Sequence, residues 1–183
     1  MGRKYKFHNH QKLHFVSFAT VNWIDVFTRK IYCDIVVDSL RYCIENKGLE
    51  LYAWCIMSNH MHLIIGTENG NLSNIIRDMK RHTSKQLLKA ITENPQESRK
   101  EWMLWLFKRA GEHNSNNENY QFWQQNNHPI ELSTEEMFDQ RIDYLHYNPV
   151  ESGAVTNPQD YLYSSAIDYY TDQKGLLPIY GLS

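Results

Sequence analysis

Cysteine is scarce and badly placed for cross-linking. Cys33, Cys43 and Cys55 are odd in number, lie inside periodic segments and show no Cys-x-x-Cys spacing. That argues against a disulfide framework or a zinc knuckle, and it fits a reducing compartment. Long apolar runs are missing too, since no stretch approaches the ~18 apolar residues a membrane span needs. The first residues, Met1-Gly2-Arg3-Lys4-Tyr5-Lys6, are basic but lack the apolar run of a signal peptide. The expectation is a soluble, cytoplasmic protein with no membrane partner. An overall excess of positive charge is also absent: a net charge of −2 excludes a binder of polyanions acting through its global charge. There is no internal repeat, low-complexity tract or linker that would split the chain.

What is present suits one domain over residues 1–183, because 183 residues with 42% hydrophobic content can bury a real core. Residues 1–12 read as a basic arm and 171–183 as a C-terminal tail. Charge is unevenly spread. Residues 71–109 hold nine Lys/Arg against four acids, a local balance of +5 that leaves −7 elsewhere. Such asymmetry makes the local positive field that phosphate contacts need.

Periodicity supplies the elements. His14 to Asn22 alternates with aromatic and β-branched residues and reads as a strand. From Arg29 to about Asn46, Ile31, Ile35, Val36, Leu40 and Cys43 recur at helical spacing, closed by Lys47-Gly48. Leu49–Met57 and His60–Thr67 are apolar runs around the polar pair Ser58-Asn59, a hairpin. Leu72 to about Ile91 is the clearest amphipathic helix. Leu72, Ile75, Ile76, Met79 and Leu87 line one face, while Arg77, Arg81, Lys85 and Lys89 step by four along another with Lys80 beside them. That stripe is either a solvated surface or a contact for phosphates. A helix over Glu97–Ala110, an Asn-rich loop at 112–119 and a short extended piece at Gln121–Gln125 follow. Ser133 and Glu136 have capping-box spacing for a helix to about Tyr147, which Asn148-Pro149 should end, with a short helical turn restarting at Pro149. The order β, α, β, β, α and a late strand matches a split βαβ, ferredoxin-like α+β fold. Its antiparallel sheet would carry helices on one face and the late helix over the other.

Two places could carry chemistry. His60 and His62 are two apart in a strand, so they project from one face while Met61, Leu63 and Ile65 point to the other. Paired imidazoles make half of a divalent-metal site, although a His-x-His in a strand is often structural. A second such pair, His8 and His10, has no strand to fix it. On the late helix, Tyr144 and Asn148 are four apart and share a face. A phenol near a histidine-held ion is a nucleophile for phosphorus, and an amide oxygen is a hard ligand suited to Mg²⁺ or Mn²⁺. The bland alternatives are a packed tyrosine and a cap before proline.

Met57-Ser58-Asn59-His60-Met61-His62-Leu63-Ile64 resembles the His-hydrophobe-His signature of HUH endonucleases. Asp143-Tyr144-Leu145-His146-Tyr147-Asn148-Pro149 through Val155 resembles the tyrosine-helix motif of single-tyrosine transposases. The insertion-sequence-200-like group, especially the REP-associated tyrosine transposases, is the nearest branch. Lys80-Arg81-His82-Thr83-Ser84, Phe122-Trp123-Gln124 and Tyr161-Leu162-Tyr163-Ser164-Ser165 support the resemblance. It implies that Tyr144 attacks a single-stranded DNA phosphate to leave a 5′-phosphotyrosine and a free 3′-hydroxyl. It further implies that His60, His62 and Asn148 hold Mg²⁺ or Mn²⁺, and that the basic helix (Arg77, Lys80, Arg81, Lys85, Lys89) receives a DNA hairpin. Tyr147 is a second-choice nucleophile. Some relatives exchange the tyrosine helix between subunits, which leaves a homodimer open. Departures are the Asn-rich loop, Glu151 where many relatives are basic, and the acidic overall charge. Two other readings stay in view: a non-catalytic or domesticated single-stranded nucleic-acid-binding module, and a metal phosphoesterase that uses water.

Overall fold

The computed structural model describes residues 12–68, 70–112, 119–125 and 129–182. Four strands, β1 (His14–Ala19), β2 (Glu50–Ile56), β3 (His60–Gly66) and β4 (Ile130–Glu131), form one sheet in the order β2-β3-β1-β4. Every neighbouring pair is antiparallel, so the sheet has the split βαβ topology expected of a ferredoxin-like α+β fold. The helices are α1 (Lys30–Lys47), α2 (Leu72–Glu93), α3 (Lys100–Glu112), α4 (Glu135–Glu151) and the short α5 (Ala166–Tyr170). No helix among the described residues is long and apolar enough to cross a membrane.

Strand parity divides the core. Val16, Phe18, Met61, Leu63 and Ile65 face the buried sides of α1, α2 and α3. Phe15, Ile64, Cys55 and Met57 face the other way, against Ile142 and Leu145 of α4. A β-bulge between Leu51 and Ala53 resets the parity of β2. The extra residue lets Leu51 serve the first cluster while Ala53 and Cys55 serve the second. Leu145 is fully buried, and truncating such a leucine to alanine typically costs about 2–5 kcal/mol.

Several elements depart from the pattern-based expectation. Strand β1 stops at Ala19 because Thr20 bridges to Trp123 and residues Val21–Trp23 turn as a 3-10 segment. Ile31 lies on the exposed side of α1, where Tyr32, Cys33, Val36, Val37, Leu40 and Cys43 are the buried row. Gly48 ends that helix with φ 69°, a left-handed conformation that glycine adopts without steric cost. Helix α3 begins at Lys100, not Glu97. It buries Met103, Phe107 and Gly111 and leaves Trp102 and Trp105 exposed. Glu97 instead sits buried in front of it, held by Arg29 at 2.8 Å and Arg99 at 3.1 Å. Burial alone would raise its pKa, but hydrogen bonds from Arg99 and Arg29 outweigh this and hold it at about 2.

The cap of α4 is Thr134, whose hydroxyl accepts from the Met137 amide at 3.2 Å; Ser133 reaches the Met137 sulfur instead. The helix also runs through Pro149 to Glu151 without a break. Proline removes one hydrogen bond there, but it does so in the last turn, and the ring itself is buried. Residues 171–182 are not a loose tail. Leu177 and Ile179 enter the core, and the Tyr180 amide donates to the Leu51 carbonyl at 2.7 Å. Further along β2, the Ile56 amide donates to Tyr163 O and the Ser165 amide to Trp54 O, both at 2.9 Å. The outer edge of β2 is thereby covered. The arm before Lys12 with His8 and His10, and residues 113–118 of the Asn-rich loop, lie outside the described residues.

Candidate active site

The imidazoles of His60 and His62 stand on the α4 side of β3 with ring centroids 4.7 Å apart. Each is oriented through its Nδ1. His60 Nδ1 lies 2.7 Å from the side-chain oxygen of Asn59. Since a carbonyl oxygen can only accept, Nδ1 carries the hydrogen and Nε2 the lone pair. His62 Nδ1 lies 2.7 Å from Ser17 Oγ, its cross-strand partner on β1. Its Nε2 is buried and has no hydrogen-bond partner among the described residues. An orphaned buried nitrogen is costly unless something outside the chain uses it. Burial lowers the pKa of both rings. For His62 burial comes first and the neighbouring His60 and Arg141 charges add to it, taking it to about 3. Both rings are therefore neutral near pH 7, the form that ligates metal.

Helix α4 brings Tyr144 to this pair. The Tyr144 ring lies 5.3 Å from the His62 ring and 5.9 Å from Phe15, which stacks on His62 at 5.3 Å. The phenol is 44% exposed, so it borders solvent instead of filling the core. Tyr144 meets His62 of its own chain. Asn148, one turn on, donates its amide nitrogen to the Tyr144 carbonyl at 3.2 Å, and its carbonyl oxygen is the atom fit for a hard cation. Two imidazole nitrogens and an amide oxygen make a donor set compatible with Mn²⁺ or Mg²⁺. No group of three or more His, Cys, Asp or Glu suited to a metal occurs among the described residues. Tyr147 is also exposed, and among the described residues it is Tyr144 and not Tyr147 whose ring meets a histidine of the pair. Its neighbour His146 is structural: its Nε2 bonds Ser165 Oγ at 2.8 Å, and its ring packs on Tyr169 and Tyr170.

Three contributors escaped the sequence reading. Ser17 could be found only from the β1–β3 register. Arg141 stands one turn before Tyr144, a spacing that could have revealed it. Its guanidinium lies 5.1 Å from the Phe15 ring and 5.9 Å from the Tyr144 ring. Trp23 meets His60 edge to face at 5.8 Å and had no periodic signal.

The basic row lies on α2. Arg77, Arg81, Lys85 and Lys89 are exposed. The first three line a groove of about 580 Å³, whose other wall is residues 119–125. Lys89 sits beyond the groove, 3.9 Å from Glu93. Lys80 departs from the row. Its ammonium turns inward to donate to Gln124 O at 2.8 Å and lies over the Phe18 ring, and burial lowers its pKa to about 7. The residues that resembled the family around it serve this wall: Trp123 Nε1 donates to Thr83 Oγ1 at 3.0 Å, and Gln124 binds Ala19 and Thr20.

Comparison with known proteins bears on this arrangement. The family model "Transposase IS200 like" matches residues 8–109, a span that includes the histidine pair and α2 and stops before Tyr144. A structure described as a REP-associated tyrosine transposase bound to a REP hairpin superposes with a TM-score of 0.66 at 14% identity, covering 100% of this chain and 94% of that one. A Deinococcus radiodurans R1 protein described as a transposase aligns with a TM-score of 0.46 at 18% identity, covering 79% and 92%. No curated protein matches. The chain belongs to the IS200-like transposases, enzymes of DNA transposition.

Proposed function

We propose that the protein nicks and rejoins single-stranded, hairpin-bearing DNA through a covalent 5′-phosphotyrosine at Tyr144. The observation that carries this reading is the Tyr144 ring 5.3 Å from His62 at a solvent-facing site. The phenolic oxygen attacks phosphorus, the P–O3′ bond breaks, and the proton given up by the phenol is balanced by one taken up at the leaving 3′-oxygen. Bond energy is kept in the phosphotyrosine, so a 3′-hydroxyl can reverse the step without ATP. His60 Nε2, His62 Nε2 and the Asn148 amide oxygen would hold the divalent ion. When bound, that ion polarises the phosphoryl oxygen and offsets the charge that builds there. The Arg141 guanidinium beside Phe15 and Tyr144 adds a fixed positive charge on the same side.

The REP hairpin held by the structural relative makes a hairpin the first substrate to try. The groove between Arg77, Arg81, Lys85 and residues 119–125 suits its phosphates, with Lys89 further along the helix. Lys80, bonded to Gln124, braces the wall of that groove.

The test is incubation of hairpin DNA bearing a single-stranded tail with protein and Mn²⁺, followed by a denaturing gel. A covalent adduct in the wild type and none with Tyr144→Phe is the expected result. Binding with no adduct would make the chain a binding module. Cleavage that survives Tyr144→Phe would make water the nucleophile.

A further inference from the structure

Trp23 sits in the least comfortable backbone among the described residues. Asn22 and Trp23 have φ of 53° and 54°, consecutive left-handed residues, neither of them glycine. For a bulky side chain this conformation is a true outlier, and such strain persists only where the surroundings impose it. The surroundings are rigid. The Trp23 amide donates to Thr20 O at 3.1 Å, the buried Thr20 hydroxyl holds Ile24 O at 2.8 Å, and Asn59 Nδ2 donates to Trp23 O at 3.3 Å. Beyond the turn, Ser58 Oγ holds the Asp25 carboxylate and Arg99, itself anchored on Glu97, holds the Asp25 carbonyl. Val21 and Ile24 are buried on either side, yet the indole between them is 57% exposed. The strained turn therefore does not bury an apolar ring. It presents one, against the edge of His60.

We infer that Trp23 is a stacking platform for a nucleobase of single-stranded DNA next to the phosphate held at His60. A flat ring carried on a backbone held by hydrogen bonds and resting against His60 loses little conformational freedom on binding, and an aromatic face accepts any base. Asn59 links the two functions, because its side chain orients His60 through its oxygen and holds the Trp23 carbonyl through its nitrogen. The inference rests on the strand-transfer reading only for the identity of that phosphate.

The test uses the full chain carrying Tyr144→Phe, so that no covalent step intrudes. Two probes share one DNA hairpin: one has an oligothymidine tail, the other an abasic tail of equal length. The thymidine tail should bind about 5- to 150-fold more tightly, the range for one stacked base. Trp23→Ala should erase that ratio, Trp23→Phe should keep most of it, and Trp105→Ala, an equally exposed tryptophan on α3, should leave it unchanged. A ratio of one in the parent, or an intact ratio in Trp23→Ala, overturns the proposal. So does a dimer in solution that Trp23→Ala converts to monomer, which would make the ring a subunit contact. An intact ratio in the parent together with no adduct from the wild type sinks strand transfer and leaves the platform standing.

Discussion

Two hydrogen bonds decide what the site can hold. Asn59 and Ser17 each take the Nδ1 side of a histidine, which leaves the Nε2 side of each ring for a ligand. Outer partners of this kind fix ring orientation in metal sites and make the free nitrogen more basic. A ligand that binds only the folded chain raises its melting temperature. Mn²⁺ should therefore raise the wild-type Tm in scanning fluorimetry and leave that of His60→Ala unmoved. The same variant should lose adduct formation while its hairpin affinity, measured by anisotropy, stays within a few-fold. Equal loss of both activities would show the imidazoles to be structural. The pairing of His60 with His62 was legible because alternation along a strand needs no tertiary information. Ser17 and Trp23 were not: one depends on how two distant strands align, the other on a turn with no repeating pattern.

At the scale of elements, α2 separates two jobs that its sequence blends. Its buried row, Leu72, Ile75, Ile76, Met79, Thr83, Leu87 and Ile91, seats it on the sheet, and its exposed Arg77, Arg81 and Lys85 face the groove. Replacing Arg81 and Lys85 together by alanine should weaken hairpin binding and flatten its dependence on salt. The logarithmic slope should shrink by about 0.9 for each duplex phosphate that the helix no longer neutralises. Adduct yield at saturating DNA should hold. An unchanged slope in a salt titration would move the DNA off this helix. The helix and its apolar face were legible from a strong 3.6 period. Where the Lys80 ammonium ends was not legible, because helical spacing shows which residues are adjacent on a helix but not where a flexible side chain goes. The end of α4 was misjudged for a similar reason: a proline disfavours a helix locally, and packing of the last turn overrode that preference.

For the whole molecule, neutral buried histidines set the response to acid. His62 and His146 have pKa values lowered to about 3 and about 4, His146 by burial alone. In the unfolded chain both return to the ordinary value near 6.5. Below that pH the unfolded state binds protons that the folded state refuses. Stability is thus complete above about pH 6.5 and falls as pH drops toward 3–4. The slope approaches about 1.4 kcal/mol per pH unit for each histidine. Glu97, held at about 2, adds a loss in the same direction at lower pH. Urea midpoints should therefore be lower at pH 5 than at pH 7.5, and His146→Leu should make the decline shallower. Equal midpoints at the two pH values would contradict the burial described. The overall topology was legible because the order of elements admits few antiparallel sheets. The packing of residues 171–182 was not, since their apolar residues follow no period.

The sealing of β2 has a consequence for how copies could associate. Its outward amides and carbonyls are already engaged by Tyr163, Ser165 and Tyr180, while at the opposite margin β4 offers only two residues. A neighbouring molecule trying to lengthen the sheet finds one border occupied and the other too short to grip. Among the described residues, that leaves side chains as the surface through which copies would meet, and their substitution can alter such a contact without disturbing the backbone ladder that carries the histidines.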